Sequence, residues 1–141
     1  MPIEVFTKNV VFKHVHVPGP FGPGELVVFS DDLLNVQNAD VGTHSGFATL
    51  VRITAGEPNL FQYQATYDLK DVPGTPQRQG QVTARGLVPF IGAEFVGSPK
   101  VAITGGTEAY ATARGQVTWT ANVPLPPPPD RKLTKHTLDI V

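Results

Sequence analysis

The stretch LFQYQATYDL, Leu60 to Leu69, alternates apolar and polar side chains. With a side-chain period of two, Phe61, Tyr63, Ala65, Tyr67 and Leu69 fall on one face of a β-strand. Similar runs lie on either side of it. VVFKHVHV (Val10–Val17) alternates and stops at the breakers Pro18-Gly19-Pro20. ELVVFS (Glu25–Ser30) is a second strand, which the Asp31-Asp32 pair is expected to end by opening a turn. Residues Val41 to Ile53 read as a third, with Gly42 and Gly46 allowing a bend or bulge. Gly80–Val88, Lys100–Thr104, Gly115–Val123 and Lys132–Val141 complete a set of about eight strands at the spacing of a sandwich or barrel.

Little of the chain favours a helix. The best candidate is TEAYATA, Thr107 to Ala113, as two turns between strands. VPLPPPP (Val123–Pro129) favours extended polyproline geometry, because each ring fixes φ and removes a donor. An apolar strand pattern resumes directly after it, so it reads as a stiff connector over 124–131 before the last strand, with a ligand for a proline-recognition domain as the other reading. No internal repeat is visible, which argues against a propeller or solenoid. About eight strands with few helices can avoid exposed edges by closing on themselves. The expectation is an all-β protein, a single domain over 1–141.

Composition narrows the function. At 141 residues the chain is one domain's length. Lys+Arg of 11 against Asp+Glu of 12 leaves no concentrated positive field, so nucleic acid is not expected as a partner. Charged residues are 16% and apolar ones 40%, too apolar for disorder, and Gly and Pro at 14 each mark a turn-rich chain. No apolar run is long enough for a spanning helix, and the N-terminal MPIEVFTKNVVF lacks the pattern of a secretion signal. A cytoplasmic protein with no membrane partner is expected. With no cysteine, disulfides, thiolate catalysis and zinc–sulfur sites are excluded.

Chemistry has few carriers. His14 and His16 are two apart on a strand and share a face, able to hydrogen-bond or shuttle protons near neutral pH. Such an H-x-H pair also brings to mind a metal site of the cupin type. The nearby Glu that such a site needs is missing, since Glu25 follows only after a Pro/Gly turn, and no metal is expected. The bland alternative is that both histidines lie outside or are satisfied by neighbours. Asp31, tipped into a barrel mouth, would be a general acid/base candidate. Phe61, Tyr63 and Tyr67 are either a core aromatic stripe or a cavity wall whose hydroxyls meet a substrate. Arg52, Arg85, Arg114 and Glu94 are isolated charges of undetermined facing. There is no nucleophile elbow, phosphate loop or dinucleotide fingerprint, so no cofactor is expected.

VAITGGTEAYATARGQVTW (Val101–Trp119) resembles the late motif of plant allene oxide cyclases and dirigent proteins: strand, Gly-Gly-Thr/Ser turn, short aromatic-bearing turn, then a Gly leading the next strand. GELVVFSDDL, VGTHSGF, YQATYDL and QGQVTARG follow the family's strands in order, so the resemblance covers roughly residues 10 to 123. It implies a cofactor-free, eight-stranded antiparallel β-barrel, calycin-like in form. It implies a homo-oligomer, dimer or trimer, holding an apolar small molecule in its lumen. Asp31 matches the polar position after the Val-x-Phe strand that faces the cavity mouth in both groups. His14 and His16 stand where the family carries a first-strand polar pair, and they complete the expected catalytic set. Phe29, His44, Arg52, Phe61, Tyr63, Tyr67, Glu94 and Trp119 form the expected substrate-binding set. The cyclases' first-strand carboxylate is absent, and Glu108 replaces the last glycine of the Gly-Gly-Thr/Ser-Gly motif.

The resulting expectation is a cyclase or isomerase directing ring formation on a polyketide- or lipid-derived intermediate in natural-product biosynthesis. A non-catalytic binding or dirigent-type stereocontrol barrel is the alternative. A filled structural barrel is a third, weighed against by the small residues Ala48, Ala65, Ala84, Ala102 and Ala121.

Overall fold

The computed structural model describes residues 2–16, 18–70, 79–92, 94–124 and 132–141, with the side chains of 122–124 and 132 not described. The strands are β1 (Ile3–Val15), β2 (Leu26–Leu34), β3 (Asp40–Arg52), β4 (Asn59–Leu69), β5 (Gly80–Ile91), a two-residue β6 (Glu94–Phe95), β7 (Lys100–Gly106), β8 (Gly115–Pro124) and β9 (Lys132–Ile140). They pair in the order β4-β3-β2-β1-β9-β8-β7-β5, and β4 pairs with β5 to close the ring. All of these pairings are antiparallel, so the fold is a closed eight-stranded antiparallel barrel with β6 appended to β5. Among the described residues no helix is long and apolar enough to cross a membrane.

Alternation places one face of each strand inside. The stripe read from Leu60–Leu69 does point inward: Tyr63, Ala65, Tyr67 and Leu69 are buried, while Gln62, Gln64 and Asp68 are exposed. Val5, Leu33, Leu69, Val82, Val117 and Leu138 fill one end of the lumen at 0–1% exposure. Each such burial stabilises the fold by about 1.5–3 kcal/mol, enough in sum to let the other end stay unfilled. Of the small residues, Ala48, Ala65 and Ala84 are inside, whereas Ala102 and Ala121 face solvent.

Four expectations are corrected. β2 does not end at the Asp pair: it runs through Asp31 and Asp32 to Leu34, because β1 and β3 hydrogen-bond both its edges and override the poor strand propensity of Asp. β1 begins at Ile3, with a bulge between Asn9 and Val11 that shifts its register. The expected two-turn helix is a single 3-10 turn, Glu108–Tyr110, whose Tyr110 is buried in the core. The Gly-Gly pair is not the turn expected after Thr104: β7 runs on through Gly105 and Gly106, which pair with Thr83 and Val82 beside a bulge, while Gly105 and Gly115 take φ of +154° and +131°. A Cβ on Gly115 would lie 1.9 Å from the Asp139 carbonyl oxygen, so only glycine admits that approach. Most of the proline-rich connector lies outside the described residues.

Candidate active site

Register builds the site. Asn9 on β1 pairs with Asp31 on β2, Asp31 with His44 on β3, and His44 with Tyr67 on β4. Paired residues share a face, so one cross-strand row points four polar groups into the lumen. Opposite them, β8 and β9 contribute the pair Trp119 and His136. Closure of the ring brings these two arcs together.

The result is a buried chain of hydrogen bonds. Asp31 accepts from Asn9 Nδ2 at 2.9 Å through Oδ1, and its Oδ2 lies 2.7 Å from His44 Nδ1. A carboxylate accepts only, so Nδ1 carries the imidazole proton and Nε2 is left to accept from the Tyr63 hydroxyl at 2.5 Å. Tyr63 and Tyr67 hydroxyls are 3.3 Å apart, and Tyr67 Oη is 2.5 Å from His136 Nδ1. Ring stacking holds the chain rigid: His44 lies on Tyr67 with centroids 4.5 Å apart, and Phe29 stacks on Tyr63 at 5.8 Å.

Burial sets the protonation states. It pushes the Tyr63 and Tyr67 hydroxyls well above the usual tyrosine value, so both remain neutral. It drives the His136 imidazole well below the usual histidine value, with His44 adding to the effect, so His136 is uncharged. The Trp119 indole N–H is turned toward Tyr67, whose pKa it lowers, without making a hydrogen bond among the described residues.

Above this chain is a partly open cavity of about 280 Å³. Asp31, His44, Tyr63 and His136 form its polar patch, and Phe29, Phe61, Phe90, Phe95 and Trp119 form an aromatic wall. Ala48 leaves room where a larger side chain would fill the space. Apolar walls with a few convergent polar groups are the usual make-up of a small-molecule site, and this volume is near the lower end of that range.

The structure therefore brings Asp31, Phe29, His44, Phe61, Tyr63 and Trp119 to one cavity. Tyr67 is fully buried behind the wall, linked through Tyr63 and His136. Arg52 is exposed at the end of β3, after a register shift between Leu50 and Arg52, and Glu94 is exposed on β6; neither lines the cavity. Arg85 and Arg114 are also exposed. His136 and Asn9 were not singled out as site residues. The alternation of Thr134, His136 and Leu138 in KLTKHTLDI was the available signal for His136, while the bulge beside Asn9 left none.

His14 and His16 are at the rim instead, and Glu25 is not out of their reach. The turn folds back so that Glu25 Oε1 lies 2.7 Å from His14 Nε2 and 2.6 Å from His16 Nδ1. Glu25 is 1% exposed, against 45% and 51% for the two histidine side chains. The hydrogen bond to Glu25 raises the pKa of His16.

Comparison with known proteins agrees at the level of fold. The chain is similar to a pyocyanin demethylase, with a TM-score of 0.73 and 24% identity over 100% of both chains. It is similar to AbnU, an exo-specific intermolecular Diels-Alderase (0.64, 17%, covering 97% of this chain and 94% of that one). It is also similar to a pterocarpan synthase dirigent protein, PsPTS1 (0.67, 18%, 97% and 90%). The chain shares the barrel fold of these proteins. The resemblance read from the sequence to the allene oxide cyclase and dirigent group thus holds for the fold. No protein-family model matches the chain, and no curated protein matches it.

Proposed function

We propose that the barrel is a cofactor-independent cyclase or isomerase acting on a small, apolar, conjugated molecule held in the aromatic cavity. One observation carries this reading: Asp31, at the cavity wall, is held between Asn9 and His44 at the head of the buried chain. Its side chain is more exposed than that of His44, 11% against 4%, and it is the group that meets substrate. Asp31 takes a proton from an acidic carbon, or hydrogen-bonds the developing charge, and returns the proton at the rearranged position. His44 keeps the carboxylate oriented, with Tyr63 holding its Nε2. The aromatic wall folds the substrate so that only one ring or stereoisomer forms. Positioned acid–base catalysis supplies roughly 10²–10⁴-fold in rate, and confinement adds to it without covalent chemistry.

A polyketide- or lipid-derived intermediate of natural-product biosynthesis fits an apolar, aromatic-lined site of this size. A homo-oligomer goes with this reading, covering outer-face apolar groups such as Val28 and Phe47, which pair across β2 and β3 and are exposed. A second reading, a barrel acting on a pyocyanin-like molecule, is favoured by the full-length likeness to the pyocyanin demethylase.

The test is a panel of linear polyenes, diene–dienophile pairs and N-alkylated aromatic heterocycles, with conversion followed by chromatography and mass. Occupancy is read from the fluorescence of Trp119, the single tryptophan. Isomerisation lost at least about 10²-fold in Asp31→Asn with binding retained is the expected result. Binding without conversion by wild type leaves the stereocontrol or carrier barrel. Conversion unchanged in Asp31→Asn removes the carboxylate from the mechanism.

A further inference from the structure

The three side chains at the barrel rim form a second centre, independent of the cavity chemistry. We propose that His14, His16 and Glu25 bind a divalent transition-metal ion of the zinc class. Their donor atoms, one from each residue, lie within 4.8 Å of one another. Metal–ligand distances of about 2.0–2.2 Å place tetrahedral donors about 3.3 Å apart, so small side-chain shifts open the trio around an ion.

The trio is built for an acceptor role. His16 Nε2 is 3.2 Å from the Gly19 carbonyl oxygen, which can only accept, so this nitrogen carries the proton. That leaves Nδ1 as the nitrogen that faces the Glu25 carboxylate. Two lone pairs facing each other at 2.6 Å require a positive centre between them, a proton or a metal ion. A backbone carbonyl fixing the tautomer of a ligating histidine is the usual outer-shell arrangement of metal sites.

Glu25 is also held before any ion arrives. Its backbone carbonyl accepts from Leu50 N at 2.8 Å, and its N–H donates to Gly22 O at 3.3 Å. A carboxylate at 1% exposure is costly unless its charge is matched, and a bound metal ion adds positive charge to the partners it has. Two imidazoles and one carboxylate suit zinc and its neighbours and do not suit calcium or magnesium. Three protein ligands leave at least one position for water or an anionic ligand group. The site adjoins the cavity: His14 pairs with Val27, which lines it. This assignment departs from the metal-free expectation, which set Glu25 aside because the turn back to it is not visible in the spacing.

The untagged full chain, stripped with chelator, is titrated with ZnCl₂ and with CaCl₂ at neutral pH, and bound metal is counted after dialysis. One zinc per chain is expected, with affinity lowered at least about tenfold in both His14→Ala and His16→Ala. These side chains are about half exposed, and circular dichroism verifies that both variants fold. Zinc raises the melting temperature of the wild type and not of the variants. Cobalt(II) gives intense visible bands only with the wild type. Substoichiometric zinc, zinc binding that survives both substitutions, or calcium binding as tight as zinc would each overturn the proposal.

Discussion

His44 Nδ1 and Asp31 Oδ2 meet at 2.7 Å across the β2–β3 ladder, with both side chains almost withdrawn from water. Replacing His44 by Phe keeps the ring but removes the donor to Asp31 and the acceptor for Tyr63. A loss of about 2–4 kcal/mol in urea unfolding is expected, since both groups are left buried and short of a partner. Asp31→Asn combined with His44→Phe should cost less than the two single losses added together, which a double-mutant cycle checks.

His136 makes stability depend on pH in a definite sense. Its folded pKa lies below the ordinary 6.5, so below that pH the unfolded chain takes up a proton that the folded chain refuses. The folded state therefore loses stability as pH falls through and below 6.5, by up to about 1.4 kcal/mol per pH unit from this group. Denaturation of wild type and His136→Gln from pH 7.5 to 5 isolates the contribution of His136 together with its coupling to His44. Parallel curves would show that His136 is protonated in the folded barrel.

Tyr63 and Tyr67 should stay unionised where ordinary tyrosines titrate, at 10.0. Absorbance near 295 nm, followed through that range in the folded protein, is expected to be the same in wild type, Tyr63→Phe and Tyr67→Phe. A wild-type phenolate signal that disappears in either variant would contradict the burial argument.

Glu108 sits at φ +53°, in the left-handed region, at the position where the related motif carries glycine. That conformation costs a side-chain-bearing residue about 1–2 kcal/mol, and glycine's extra unfolded-state freedom offsets part of this. Glu108→Gly should therefore stabilise the barrel by roughly 0.5–1 kcal/mol, seen as a higher melting temperature. Glu108→Ala, which keeps a Cβ, should not.

Much of the barrel was legible because its signals are local. Alternation over Leu60–Leu69 is a property of ten adjacent residues, and it already assigned Tyr63 and Tyr67 to one face. Gly115 carried its backbone demand in its own identity. Asp31 was legible as a strand-exit residue and became the leading candidate only through the family resemblance. Its inward facing depended on β1 and β3 extending β2 past the point where propensity alone would stop it.

The sequence by itself determined an all-β chain of about eight strands and the faces of the clearest of them. Only the tertiary structure decided what meets what. Tyr67 and His136, 69 residues apart, touch because β1 bridges β2 and β9 in the closed ring. Glu25 reaches His14 and His16 because the intervening turn folds back, although spacing had set it aside. Arg52 left the lumen after a one-residue shift beyond Leu50. The reason is common to all three: side-chain period is set between neighbours along the chain. Register, bulges and closure are set by pairing between strands, where one residue's slip exchanges inside for outside.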